Sequence, residues 1–124
     1  MSPTAWRLAF IAGFALQCVV LYWPSPPGVG TEIPLDKAVH FAIFAAVAAL
    51  GVRAGLSRLL VGALLALQAI ASEALQSLVI PGRGGDLGDL LADVVGIAVG
   101  LLIGWRWLLR AGPAAATAQP QPGR

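Results

Sequence analysis

The sequence predicts an all-α membrane protein, a bundle of four transmembrane helices with both termini in the cytoplasm. Of its 124 residues, 58% are hydrophobic and 11% are charged, whereas a soluble domain carries about a quarter charged residues. Four apolar runs have about the length that crosses roughly 30 Å of hydrocarbon. Because the net charge is only +2 and no long basic run is present, we expect a lipid bilayer and no nucleic acid as a partner.

The apolar runs define four spans, at about residues 6–23, 37–53, 59–80 and 87–109. The first ends at Tyr22-Trp23-Pro24, which is typical of an aromatic anchor at a membrane interface. Since no Ala-x-Ala-like cleavage site follows, we predict an uncleaved helix rather than a signal peptide. Residues 1–110 should form one domain. Residues 111–124 are rich in Ala, Pro, Gln and Gly and are predicted to be a disordered cytoplasmic tail.

Basic residues are distributed unequally between the two sides of the predicted bundle. Lys37 and Arg83 lie on one side, and the other side holds Arg7, Arg53, Arg58, Arg106, Arg110 and Arg124. Cytoplasmic loops carry the excess of Lys and Arg, so the arginine-rich side and both termini are predicted to be cytoplasmic. The polar motifs of the chain then face outward.

The first polar motif is Asp36-Lys37-x-x-His40-Phe41, at the start of the second span. Asp36 and Lys37 precede His40 by four and three residues, so one helical face can present all three. Asp36 could simply cap the helix, and Lys37 could anchor at the headgroups. His40 lies a turn inside the span and therefore needs a polar partner.

The second polar motif surrounds the predicted turn between the third and fourth spans. Glu73 and Gln76 share one face of the third helix, and Arg83 lies at the centre of the turn. Glu73 and Asp93 are each ten residues from Arg83, which predicts similar depths, roughly 10 Å below their helix ends. Two carboxylates at that depth should share a proton or recruit a cation. Arg83 alternatively does no more than neutralise a neighbouring carboxylate and hold the hairpin shut.

One stripe of the fourth helix combines carboxylates with glycines. Asp86, Asp89 and Asp93 step by three and then four residues, so they share a helical face. The stripe continues as Gly96, Gly100 and Gly104, a small-xxx-small spacing that allows close helix packing in lipid. We therefore predict that the stripe faces inward, with packed glycines and an outward-facing polar pocket.

Together these motifs resemble the VanZ-like family of small bacterial membrane proteins. The resemblance covers residues 35–104 and rests on the first motif, on Glu73-x-x-Gln76, on Pro81-Gly82-Arg83-x-x-Asp86-x-x-Asp89 and on Gly96-x-x-x-Gly100. It implies a multi-pass protein of the bacterial cytoplasmic membrane with a role in the cell envelope or in teicoplanin-type lipoglycopeptide resistance. The family has no established mechanism to transfer. Family members commonly have Asn in place of Asp93 and an aromatic hydroxyl in place of Phe44.

Two functions remain open from the sequence. The leading hypothesis is a non-enzymatic pocket that binds a lipid-linked cell-wall precursor, another envelope component or the antibiotic. The alternative is an enzyme acting on a lipid-linked substrate, with His40, Glu73 and Asp89 in acid–base or metal-assisted roles. The chain lacks a local ligand motif such as His-Glu-x-x-His, so we favour binding and expect no cofactor and no resident metal. An ion pathway is disfavoured because Gln17 and Gln68 make a poor relay, and the oligomeric state stays open.

Overall fold

The structure, a computed structural model, describes residues 1–24, 34–80 and 86–110. It contains four α-helices, which are α1 (Pro3–Tyr22), α2 (Pro34–Arg53), α3 (Arg58–Leu78) and α4 (Leu87–Arg110). Each is long and apolar enough to cross a membrane, and the described ranges contain no β-strand. The predicted four-helix transmembrane fold is therefore confirmed. Arg83 and the predicted tail of residues 111–124 lie outside the described residues.

Helix α2 begins earlier than the sequence predicted. It starts at Pro34 rather than Lys37 and has 20 residues, so it is about 30 Å long at 1.5 Å per residue. Helix α2 is therefore long enough to cross a bilayer. Asp36 lies inside the first helical turn, and the suggested role of Asp36 as an N-cap is wrong. Its carboxylate instead lies near the positive end of the helix dipole.

The connection between α2 and α3 is a tight turn that satisfies its own backbone. Leu56 N–H donates to the carbonyl of Gly51, and Gly55 N–H donates to that of Val52. This hydrogen-bond pair is the Schellman ending of a helix, which requires a left-handed residue. Gly55 supplies it, with φ +88°. Ser57 then caps α3 by accepting a hydrogen bond from Leu60 N–H at 3.2 Å.

The largest helix–helix interface joins α2 and α4, which are not neighbours in the sequence. The glycine stripe of α4 lies against the α2 backbone, where an added Cβ would collide with carbonyl oxygens. The opposed residues are Gly96 with Phe41, Gly100 with Ala45 and Gly104 with Ala49. Each step advances four residues on both helices, so α2 and α4 run parallel. The small residues let the two backbones approach closely, as in other membrane helix pairs.

Helices α1 and α3 flank the central pair. α1 packs mainly on α2, and α3 packs mainly on α4. The apolar core between the helices is formed by buried side chains from all four, namely Leu21, Phe44, Val47, Ala48, Val61, Leu65, Ala69 and Ile97. Many large apolar side chains point outward, among them Leu8, Leu67 and Leu91, each more than 60% exposed. An apolar outer surface of this extent fits contact with lipid rather than water.

The two ends of the bundle differ in chemistry. At one end, which we call the basic end, Arg53 lies over the ring of Trp6 at 4.5 Å. At the same end, Arg58 lies over Trp105 at 4.1 Å. Arg–Trp stacking of this kind combines cation–π attraction with the aromatic belt of a membrane interface. The opposite, acidic end holds every carboxylate side chain of the described residues, Asp36, Glu73, Asp86, Asp89 and Asp93.

Candidate functional site

The centre of the candidate site is a buried hydrogen-bonded pair between α2 and α4. His40 Nδ1 and Asp93 Oδ1 lie 2.9 Å apart, and the two side chains are 1% and 0% exposed. With Asp93 as a carboxylate, Nδ1 carries the proton and donates. The parallel packing of α2 on α4 creates this pair, since both residues lie near the start of their helices. His40 thus has the polar partner that its depth requires. The sequence placed Asp93 opposite Glu73 across a hairpin and missed His40 as its direct partner.

Glu73 brings α3 into the same site. Its Oε2 accepts a hydrogen bond from the backbone N–H of Asp86 at 2.8 Å, which ties the end of α3 to the start of α4. Glu73, His40 and Asp93 each offer a ligand atom, and these atoms lie within 4.8 Å of one another. We call these three residues the inner group. The predicted nearness of Glu73 and Asp93 is therefore present, with His40 as a third member.

A second set of ligand atoms lies closer to the ends of the helices. Asp36, His40 and Asp89 also offer atoms within 4.8 Å of one another. Asp36 precedes His40 by four residues, and Asp89 precedes Asp93 by four, so this outer group lies about 6 Å nearer the acidic end. His40 belongs to both groups. The site is thus a column of carboxylates in two layers that share one imidazole.

Lys37 closes the mouth of this column. Its Nζ contacts Asp86 Oδ2 and lies 3.0 Å from Asp89 Oδ1. Lys37 therefore pairs with α4 carboxylates instead of serving only as a headgroup anchor. Asp86 also caps α4, because its Oδ1 accepts from Gly88 N–H at 2.8 Å. Lys37 and this cap lower the pKa of Asp86, which keeps it ionised at neutral pH.

Gln76 does not belong to the polar pocket, although the sequence placed it there. Its Nε2 donates to the carbonyl of Leu21 on α1 at 2.9 Å. About two helical turns nearer the basic end, Gln68 Nε2 donates to Cys18 Sγ at 3.4 Å. These contacts join α1 to α3 and satisfy polar groups that lipid would leave unpaired. Gln76 and Gln68 thus hold helices together, while the predicted site residue Arg83 falls in a stretch that the structure leaves undescribed.

A cleft of about 290 Å³ lies between α3 and the start of α4 and reaches Glu73 of the inner group. It opens beside Glu73, and the residues that line it are Glu73, Ala74, Ser77, Asp86, Leu87 and Leu90. Each side of the cleft carries both polar and apolar side chains. The cleft therefore suits a ligand that presents a polar group to the site while its apolar part remains in lipid.

Local sequence motifs could identify the members of this site but not the ligand groups they form. The inner group draws one residue from each of α2, α3 and α4, so no short spacing such as His-Glu-x-x-His marks it. Gln17 was dismissed as part of a poor relay, yet it is fully buried. Its two amide atoms have no hydrogen-bond partner among the described residues. The sequence signal that could have identified Gln17 was its position as a single polar residue within an apolar run.

Comparisons with protein-family models, with curated proteins and with solved structures find no match to this chain. The resemblance to the VanZ-like family therefore stays a prediction that rests on the motifs alone. The geometry of the site therefore carries the proposed function.

Proposed function

We propose that this chain is a VanZ-like multi-pass protein of the bacterial cytoplasmic membrane, and that its acidic end faces outward and binds a cell-envelope component or a lipoglycopeptide antibiotic. The observation that carries the proposal is the buried His40–Asp93 pair with Glu73 beside it. Ionisable side chains at such depth in a membrane protein are costly, and they mark functional sites by default. Packing alone does not call for them, since apolar residues would fill the same space at lower cost.

The charge of the site favours a ligand that donates hydrogen bonds. Five carboxylates of the described residues lie at the acidic end, and Lys37 is already paired with two of them. Ammonium, amide and hydroxyl groups are therefore better matched to this surface than a bare phosphate. Sugar and peptide parts of a lipid-linked cell-wall precursor or a lipoglycopeptide offer these donors, and a lipid tail can remain beside α3 and α4.

The proposed role is tested by antibiotic protection in a sensitive bacterial host. We expect the wild-type chain to raise the minimum inhibitory concentration of teicoplanin. Glu73→Gln and Asp89→Asn should each abolish that protection at unchanged membrane abundance, because each removes a charge that meets the ligand. The measurement is the inhibitory concentration beside a quantitative immunoblot of the membrane fraction.

The matched control changes two charges at the basic end. Arg53→Gln combined with Arg58→Gln should leave protection nearly intact, since both arginines stack on tryptophans far from the carboxylate column. Loss of protection with this pair, and its retention in Glu73→Gln and Asp89→Asn, would sink the outward-site proposal.

A second candidate function is an enzyme that acts on a lipid-linked envelope substrate. The His40–Asp93 pair favours it, because a carboxylate that orients an imidazole is the arrangement of a general base. Turnover separates the two functions. A purified chain in nanodiscs that converts a lipid-linked substrate, and loses conversion in His40→Gln, is an enzyme. Saturable binding without product is the result expected for the binding protein.

The proposed orientation makes its own prediction for thiol labelling. In a Cys18→Ser background, a cysteine at Leu87, at the acidic end, should react with a membrane-impermeant maleimide in intact cells. A cysteine at Ser57, in the α2–α3 turn at the basic end, should react only after permeabilisation. This pattern follows from the positive-inside rule. The reverse pattern would place the site in the cytoplasm and overturn the proposed function.

A further inference from the structure

We propose that the inner group of His40, Glu73 and Asp93 binds a divalent transition-metal ion of the manganese-to-zinc series. The proposal concerns the same site as the proposed function and rests on its being a ligand site, but it does not depend on which envelope ligand is bound. It assigns a metal where sequence motifs predicted none.

The hydrogen bonding of the inner group leaves one ligand atom free on each residue. His40 Nδ1 is engaged by Asp93 Oδ1, and Glu73 Oε2 is engaged by the Asp86 backbone. The remaining atoms are His40 Nε2, Asp93 Oδ2 and Glu73 Oε1, which are buried and have no hydrogen-bond partner within the part of the chain that the structure describes. Buried polar atoms of native proteins are nearly always paired, so the free carboxylate oxygens of Asp93 and Glu73 point to a missing partner.

The spacing of the cluster suits an ion. Ligand atoms about 2.0–2.2 Å from one metal ion lie roughly 3–4 Å apart, and the ligand atoms of the inner group lie within 4.8 Å of one another. Imidazole Nε2 lies on the side of the ring away from Asp93, so the ion would take the place of the proton between His40 Nδ1 and Asp93 Oδ1, which lie 2.9 Å apart. That separation is close to the spacing of two ligand atoms on one ion.

Charge balance gives a second reason. Glu73 and Asp93 place two carboxylates beside one imidazole at a level where His40 and Asp93 are at most 1% exposed. Lys37 does not relieve them, because its contacts are with Asp86 and Asp89. A divalent ion cancels both charges at once and removes the cost of burying them unpaired. Shared protons are the competing explanation, and the experiment below separates the two.

The column of carboxylates also provides a route to the inner group. Along one face of α4, Asp86 is exposed, Asp89 is 5% exposed and Asp93 is fully buried. The outer group of Asp36, His40 and Asp89 lies one helical turn nearer the acidic end, where a cation can bind before it reaches the inner group. Three protein ligands leave a coordination position open, as in catalytic zinc sites. An ion held there would act as a Lewis acid toward a ligand oxygen.

The test is the metal content of the full-length chain purified in detergent, after removal of any affinity tag. A chelator first removes bound metal, and the protein is then loaded with Zn²⁺ or Co²⁺. Gel filtration separates it from free ion, and elemental mass spectrometry measures the metal content. We expect about one ion per chain, and for Co²⁺ visible d–d absorption of a site with low symmetry. Asp93→Asn and Glu73→Gln should each weaken binding more than about tenfold, since outer-shell partners alone are worth 10- to 100-fold.

Arg53→Gln is the control, because it removes one charge at the basic end, where Arg53 stacks on Trp6 far from both ligand groups. It should keep full metal content. His40→Ala serves as a further variant. Its metal content is interpreted only if its gel-filtration elution and tryptophan fluorescence match those of the wild type, which shows that it is folded. A wild-type chain without bound ion, or Asp93→Asn and Glu73→Gln with undiminished binding, would overturn the metal site. Antibiotic protection is not part of this measurement, so the two proposals fail independently.

Discussion

Replacement of Gly100 with leucine should abolish folding of this protein. An added Cβ at Gly100 collides with the carbonyl of Ala45 and lies 2.7 Å from the Ala48 Cβ, so α4 cannot keep its distance from α2. The α2–α4 interface is the largest in the bundle, and no other helix pair can compensate for its loss. The smaller change Gly100→Ala should cost about 1–3 kcal/mol, the usual range for an overpacked core.

Folded yield by gel filtration and the midpoint of SDS unfolding would measure this effect. Gly62→Ala is the control for Gly100→Ala, because its new Cβ would lie 3.4 Å from Leu101 Cδ1, an ordinary contact. It should be neutral. Ala98→Leu is the control for the leucine variant, since Ala98 is exposed on the same helix. If Gly100→Leu folds as well as Ala98→Leu, the glycine stripe does not pack against α2.

Asp93→Ala should be destabilising, by about 1–3 kcal/mol, the usual cost of leaving a buried polar group without its hydrogen-bond partner. It leaves His40 Nδ1 without its acceptor in a place where His40 is 1% exposed. Asp93→Asn should cost no more than about 1 kcal/mol, because the amide oxygen still accepts from Nδ1–H.

A double-mutant cycle of His40→Ala and Asp93→Ala, followed by SDS unfolding, checks this pairing. The double variant should be markedly more stable than the sum of the single effects predicts, since the two residues are in direct contact. Asp86→Asn provides the reference for loss of an exposed charge, because asparagine preserves the cap of α4. Additive effects of the His40 and Asp93 changes, or an Asp93→Ala variant as stable as Asp86→Asn, would contradict the pairing of His40 with Asp93.

Sequence periodicity was sufficient to predict the helices and the inward-facing stripe of α4. Apolar runs in lipid must be helical because backbone groups have no water to bond, and this determined four spans with boundaries within about three residues. The small-residue spacing Gly96, Gly100 and Gly104 predicted a helix contact, which the structure places on α2. Most of the site residues were also marked by composition alone, since a charge inside an apolar run is costly.

The partner of each polar residue was decided only by the tertiary structure. Sequence favours pairing between neighbouring helices, and it therefore set Asp93 against Glu73 and placed Gln76 in the pocket. In the folded chain the glycines of α4 admit only the small-residue face of α2, so two helices that are distant in sequence pack in parallel and bring His40 to Asp93. Gln76 turns to the Leu21 carbonyl because its face of α3 meets α1. Helical periodicity determines which residues share a face, but which helix that face meets depends on how closely two backbones can approach.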